Sequence, residues 1–380
     1  MKIGIDITSL RQENISGIGV YLKNVLENLF DIDSENEYYL ITFGKKNIKI
    51  NFDLDNYKNV YHIHFNIPSK LILLANFFFN YPKIDKLINK KKNIQLDCFW
   101  LPNISPCVLS NKTRLILTIH DISFFLFKHF FDFKRNLWHF FVRPKKLIKR
   151  ADRIICVSEN TKFDLMNFLK IKKEKIIVNH LGISTNYKKL DNLEIQNFKD
   201  KYGLNRDFLL YVGTIEPRKN LDCILAVFEK LTSDFSNLDL VICGDFGWMK
   251  YKFDLNFHKL KDSIKSRIKF LGYVKYDELP ALYNSAKIFI WPSFYEGFGL
   301  PPLEALACNC VTVSSNNSSM PEIIGKNTLL CEAYNIESFY LGIKSLLENS
   351  DLYNFYKNKT FDDTYYENWK ECAQDLLKIF

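Results

Sequence analysis

Two glutamates, Glu296 and Glu304, enclose the stretch Gly297-Phe298-Gly299-Leu300-Pro301-Pro302-Leu303. The apolar run Ala286 to Trp291 before them reads as a buried strand, and Leu303 to Ala307 are good helix formers. Gly297 and Gly299 let the connection turn tightly and approach a ligand with bare backbone. Pro301 and Pro302 suit a first helical turn, where the missing N–H costs nothing. Glu296 is therefore expected at a strand's tip and Glu304 just inside the next helix. Both carboxylates, with the amides of Phe298, Gly299 and Leu300, would then face one crevice. Open α/β sheets bind ligands in that place, and helix N-termini favour phosphate.

A second set of chemistry-bearing residues follows the apolar run Phe208 to Val212, in Gly213-Thr214-Ile215-Glu216-Pro217-Arg218-Lys219-Asn220-Leu221. Arg218 and Lys219 put two cations at a strand end, where a diphosphate could sit. Arginine grips a phosphate with two bonds and lysine acts as a mobile point charge. His120 closes the strand-like run Arg114 to Ile119 and is followed by Asp121. From a strand's C-terminal end it could donate a hydrogen bond to a sugar hydroxyl. Gly17 and Gly19 lie in Ser16-Gly17-Ile18-Gly19-Val20-Tyr21, after a first strand Lys2 to Asp6 and ahead of a helix. They permit backbone N–H groups to approach a phosphate, and a structural turn explains them equally well. The third glycine of a dinucleotide fingerprint is missing, which disfavours NAD.

These stretches, in their settings, resemble the retaining glycosyltransferases of family 4, which have the GT-B fold. The resemblance is most specific in E-x7-E and "VGTIEPRKNL", and extends to "LTIHDISF", "ADRIICVSENTKFDL" and Ser318 to Gly325. It implies that Glu296 lies beside the donor sugar and that Glu304 binds the nucleotide ribose. His120 would contact the donor sugar, while Arg218, Lys219 and the Gly17–Gly19 loop would meet the donor diphosphate. The backbone at Gly272-Tyr273-Val274 would meet the nucleobase. The implied architecture is α/β, two Rossmann-like domains facing across a cleft, with the last helix crossing back to the first domain. The donor is a nucleotide-sugar, GDP-mannose first and other NDP-hexoses behind it, and no further cofactor is implied. "SGIGVY" and "GTIEPRKNL" lean toward the mannosyltransferase-like members of bacterial surface-polysaccharide assembly. The acceptor would be a glycan or a lipid-diphosphate-linked sugar. The chain departs from the family pattern at Lys326, at Cys331-Glu332-Ala333 and at Asp245-Phe246, on the edge of the expected site.

The chain's 380 residues suffice for two domains. The polar, charged stretch Ser184 to Asp207 reads as the boundary, giving an acceptor-side domain over 1–185 with helix 362–380, and a donor domain over 186–361. Nine cysteines, an odd number without any C-x-x-C, point to buried thiols in a reducing cytoplasm. The start Met1-Lys2 is not that of a signal peptide, and no run approaches a membrane span. The net charge of +9 suggests an anionic partner. Nucleic acid is the least expected, since no DNA- or RNA-binding signature occurs. Phe124 to Arg150 alternates aromatics with Lys and Arg, and two readings stay open: a helix lying on the inner face of an anionic membrane, or a packed helix with a solvated basic face. Asp31/Asp33 and Asp53/Asp55 form Asp-x-Asp pairs in polar turns and read as solvated loops, so no metal is expected. The rivals to a transferase are a non-catalytic nucleotide-sugar or lipid-binding scaffold on the same fold and a nucleic-acid-modifying glycosyltransferase.

Overall fold

The computed structural model of the chain describes residues 1–11, 17–44, 56–359 and 368–380. Ser16, the Asp53/Asp55 pair and the first part of the expected terminal helix, 362–367, lie outside them. The chain divides into two compact units, Met1–Phe124 with Phe133–Gly182 and Glu367–Phe380, and Phe125–Asp132 with Ile183–Tyr366.

The first unit carries a parallel sheet of seven strands. These are β1 (Lys2–Asp6), β2 (Glu37–Phe43), β3 (Val60–Phe65), β4 (Cys98–Leu101), β5 (Arg114–Ile119), β6 (Arg153–Cys156) and β7 (Ile176–Val178). Their spatial order is β3-β2-β1-β4-β5-β6-β7, which reverses direction between β1 and β4. The strands are near-continuous apolar runs because helices cover both faces of such a sheet. β4, for example, is buried at all four positions. Helix α1 (Gly17–Ile32) follows β1 and buries Tyr21, Leu22, Val25, Leu26 and Leu29 on one face. The terminal helix, α7 (Trp369–Leu377), belongs to this unit and is fixed by a capping box between Asn368 and Glu371. Its Trp369 ring lies 6.3 Å from that of Tyr21, and Asn179 Nδ2 donates to the Cys372 carbonyl at 3.0 Å. Asp31 lies in the last turn of α1, and Asp33, just beyond the helix, is buried rather than solvated. Its carboxylate closes the turn by accepting from the Glu35 amide, Asn36 Nδ2 and the Tyr38 hydroxyl.

The expected single helix over 124–150 does not form. The chain breaks into α3 (Phe133–Val142) and α4 (Pro144–Arg150), separated by Arg143 at φ 55° and the proline at the start of α4. Phe125–Asp132, just before α3, belongs to the second unit. There Phe130 stacks on Phe294 at 5.3 Å and its carbonyl accepts from Trp248 Nε1 at 2.5 Å.

The second unit holds six parallel strands: β8 (Asp207–Val212), β9 (Leu238–Cys243), β10 (Ile268–Gly272), β11 (Ile288–Trp291), β12 (Val311–Ser315) and β13 (Leu329–Cys331). The order β10-β9-β8-β11-β12-β13 reverses between β8 and β11, which pair directly (Ile288 with Leu209, Phe289 with Leu210). Ser184 to Asp207, read as a linker, contains a formed helix, α5 (Asn192–Tyr202). An Asp191–Glu194 capping box starts it and Gly203 at φ 64° ends it, but Phe198 is its one buried residue. That leaves no apolar stripe for the sequence to display. All nine cysteines are free and eight are buried. Among the described residues, no His, Cys, Asp or Glu cluster could hold a metal ion, and no helix is long and apolar enough to cross a membrane.

Candidate active site

The switch point of the second sheet decides what meets what. The loop after β8 carries Glu216, Arg218 and Lys219, and the loop after β11 carries Glu296, so pairing of the two strands brings these loops side by side. The loops are then tied together by backbone. The Phe294 amide donates to the Arg218 carbonyl at 2.9 Å, and Asn220 Nδ2 donates to the Pro292 carbonyl at 3.0 Å. Ser319 Oγ donates to the carbonyls of Glu296 and Phe298, at 3.1 and 2.9 Å.

Four charged side chains close into one buried network. Glu296 Oε2 accepts from Arg218 Nη1 at 2.9 Å and Oε1 from Lys219 Nζ at 2.6 Å. Glu216 Oε1 accepts from Arg218 Nε at 3.1 Å and lies 2.8 Å from Nη2. Arg218 Nη1 also donates to the Tyr295 carbonyl at 2.6 Å. The four side chains are between 5% and 13% exposed. Burial alone would raise the Glu296 pKa, but the charges of Arg218 and Lys219 outweigh it and hold the carboxyl at about 2. Burial lowers the Lys219 pKa, and repulsion from Arg218 adds to it. The ammonium of Lys219 also lies 4.4 Å from the centre of the Trp291 ring, a cation–π contact.

Beyond Glu296 the chain reaches α6 (Leu300–Ala307), with both prolines in its first turn. Gly299 precedes it at φ 103°, and a side chain there would meet Met320 Cε at 2.2 Å. Only glycine fits, which keeps the backbone at the N-terminus of α6 bare. Glu304 is buried one turn further on and accepts from the Tyr283 hydroxyl at 2.8 Å. Val274, just past β10, is buried.

In the first unit, His120 follows β5. Its Nε2 lies 2.9 Å from the Pro102 carbonyl, which can only accept, so Nε2 carries the proton. The ring meets Tyr21 edge-on at 5.0 Å. Burial lowers its pKa, against the pull of the Pro102 carbonyl and Asp121. In the neutral ring Nδ1 is then left as an acceptor. Gly19 is buried near the start of α1, while Gly17 opens the helix, with nothing among the described residues near the place a side chain would take.

Comparison with known proteins matches this layout. The family described as Glycosyl transferases group 1 matches residues 194–362, and the one described as Glycosyltransferase Family 4 matches residues 15–187. The chain thus carries a family 4 glycosyltransferase domain followed by a group 1 glycosyltransferase domain. O-antigen chain mannosyltransferase B of Escherichia coli is 27% identical over 270 residues, 70% of either chain. The serotype-specific mannosyltransferase WbdA of E. coli is 26% identical over 270 residues, and this match spans only 33% of WbdA. Among solved structures, Anabaena Alr3699/HepE in complex with UDP and glucose superimposes with a TM-score of 0.74 at 16% identity, covering 100% of this chain and 99% of that one. The fold is GT-B, and the chain is a glycosyltransferase.

For this glycosyltransferase the expected site residues come together in part. Arg218, Lys219 and Glu296 touch, and Phe298, Gly299 and Leu300 stand at the start of α6. Glu296 is bonded to the two cations, and Glu304 accepts from Tyr283. Two carboxylates balance Arg218 and Lys219. Glu216 was missed as a partner of Arg218 although it stands two residues away, because an acid beside Pro217 reads as a surface turn. Trp291 was missed because it reads as the end of a buried strand, and Tyr283 because a lone tyrosine ahead of that strand carries no signal.

Glu304 gives the site a pH dependence. Burial pushes its carboxyl up to about 7, against the Tyr283 and Tyr187 hydroxyls. A carboxyl raised on folding binds its proton more tightly in the native state, so its contribution to stability falls as pH rises from the ordinary carboxylate value through 7. Glu304→Gln is expected to gain in thermal midpoint over the parent on going from pH 5 to pH 8. Melting curves at both pH values check this, and parallel shifts in the two proteins would exclude it.

Proposed function

We propose that the chain transfers a hexose, with retention of anomeric configuration, from a nucleotide-sugar to a glycan or lipid-diphosphate-linked sugar in surface-polysaccharide assembly. GDP-mannose is the first donor of the reading, supported by the mannosyltransferase names of the E. coli relatives. Other NDP-hexoses follow. The observation that carries the reading is the Glu216–Arg218–Lys219–Glu296 network beside the N-terminus of α6, at the β8/β11 switch point.

Breaking the bond between the anomeric carbon and the phosphate oxygen leaves negative charge on the departing nucleoside diphosphate. Arg218, Lys219 and the amides of Phe298, Gly299 and Leu300 receive that charge. Glu296 and Glu216 fix the two cations before the donor arrives, so little reorganisation is needed when the charge develops, and such preorganised terms dominate many enzymes. Glu296 also lies beside the sugar, Glu304 binds the ribose and the backbone at Val274 meets the base. In the first unit, which takes the acceptor, Gly17 and Gly19 admit the diphosphate, and His120 accepts from a sugar hydroxyl through Nδ1. A panel of nucleotide-sugars scored for nucleotide release, with GDP-mannose expected first, tests the donor. Release from none of them with any lipid-linked or glycan acceptor would overturn the transferase reading.

Since two cations and a helix terminus take the leaving-group charge, turnover is expected to persist in EDTA. Loss of activity in EDTA, restored by Mn²⁺ or Mg²⁺, would overturn that assignment of charge stabilisation.

A further inference from the structure

Two helices of the first unit leave their apolar residues uncovered. α2 (Ser69–Phe79) has the sequence SKLILLANFFF, and its one buried residue is Ile72. α3, FKRNLWHFFV, has no buried residue at all. Phe78 and Phe79 on α2 are 65% and 78% exposed, and Phe133 and Phe140 on α3 are 82% and 63% exposed. An amphipathic helix normally buries such a face against its own domain. These two helices instead pack on each other: the Phe77 ring lies 5.4 Å from Phe140 and 4.9 Å from Phe141. Together they form one contiguous apolar surface, and contiguous exposed patches of this kind mark interaction sites.

The charge around the patch selects the partner. Neither 69–83 nor 133–150 contains an aspartate or glutamate, and Lys70, Lys134, Lys145, Lys146 and Lys149 are all exposed. Arg143 lies over the Phe77 ring at 4.0 Å, and Lys146 Nζ donates to Asn80 Oδ1 at 3.2 Å, so α4 brings its cations to the end of α2. Arg150 is excluded from this set. Its guanidinium is spent on Asp152 and the carbonyls of Ser110 and Thr113.

We propose that the α2–α3 face, edged by the lysines of α3 and α4, docks on an anionic lipid bilayer. Exposed rings enter the boundary between headgroups and acyl chains, while the long lysine stems reach back so that their ammonium groups meet lipid phosphates. Neither helix is long enough to span, so the attachment is reversible and weakened by salt. The surface includes α2, some sixty residues away in sequence from the basic stretch, and leaves out the segment 125–132, whose aromatics Phe127, Phe130 and Phe131 pack within the second unit. Docking needs no donor or acceptor sugar, so it stands apart from the transfer reading.

The experiment is flotation of the full chain with vesicles containing phosphatidylglycerol and with vesicles of phosphatidylcholine alone, at low and high salt. Binding to the anionic vesicles is expected to exceed neutral binding by more than about tenfold and to fall with salt. Two variants separate the parts: Phe78→Ser with Phe79→Ser and Phe133→Ser, and Lys134→Gln with Lys145→Gln and Lys149→Gln. Each is expected to lower anionic binding roughly tenfold, with an unchanged melting midpoint because the side chains are exposed. Trp138, on α3, supplies a second readout, a blue shift of its emission with anionic vesicles that disappears in Trp138→Phe. Equal, weak binding of the parent to both vesicle types would overturn the proposal. So would a parent that self-associates through this face, with the Ser variant monomeric and neither protein floating.

Discussion

Replacing Arg218 or Lys219 by alanine is expected to lower turnover at saturating donor by at least tenfold, roughly 1.4 kcal/mol or more of lost charge stabilisation. The expectation rests on the two cations being held by Glu216 and Glu296 beside the N-terminus of α6, where a leaving diphosphate would gain its charge. The fall should appear in kcat more than in KM, because an interaction that strengthens as the bond breaks favours the transition state over the bound donor. Arg218→Lys separates charge from geometry. It keeps one positive charge but cannot bridge Glu216, Glu296 and the Tyr295 carbonyl with one planar group, so it should fall between the parent and alanine. Arg218→Ala also leaves Glu216 without its cation, so melting midpoints must accompany the kinetics. Folded variants of both residues that turn over donor like the parent would show that the diphosphate site lies elsewhere.

The site was legible in the sequence as separate loops and not as a network. β8 and β11 announce themselves as unbroken apolar runs, and the two prolines, expected in a first helical turn, stand in the first turn of α6. The residues that meet, however, are Glu216 to Lys219 and Glu296, about eighty positions apart. Their contact depends on β8 lying next to β11, and strand order is a property of the sheet rather than of either loop. β7 and β13 went unread, since three residues each are too few to show a pattern. α5 was read as linker because one buried phenylalanine does not make a periodicity. The break between α3 and α4 was written at Arg143-Pro144, but an acid-free aromatic run suggested a single helix more strongly than one proline argued against it. The pairing of α2 with α3 had no sequence signal, because their contact is again made by the fold.

Glu296→Ala is expected to destabilise the chain by about 3 kcal/mol at neutral pH. Its carboxylate compensates Lys219 and shares Arg218 at positions almost shut off from water, so truncation leaves Lys219 buried without a carboxylate partner. The acid dependence carries the same sign. Burial opposes the charged form, but the neighbouring cations hold the folded pKa at about 2, below the ordinary value for a glutamate. The native state therefore binds this proton less tightly than the unfolded chain does. The resulting stabilisation is fully present above the unfolded pKa and is lost as pH falls through the folded value. Urea unfolding of the parent and of Glu296→Gln should thus differ most above pH 5 and converge as pH falls toward 2. A second variant distinguishes an uncompensated charge from lost packing. Combining Glu296→Gln with Lys219→Met removes both members of one pair and leaves Arg218 with Glu216, so the double variant should regain part of the stability lost by the single one. A Glu296→Gln protein that unfolds like the parent at neutral pH would sink the idea that this carboxylate holds the two cations in place. Simple addition of the two single losses in the double variant would do the same, because partners in one buried network do not add.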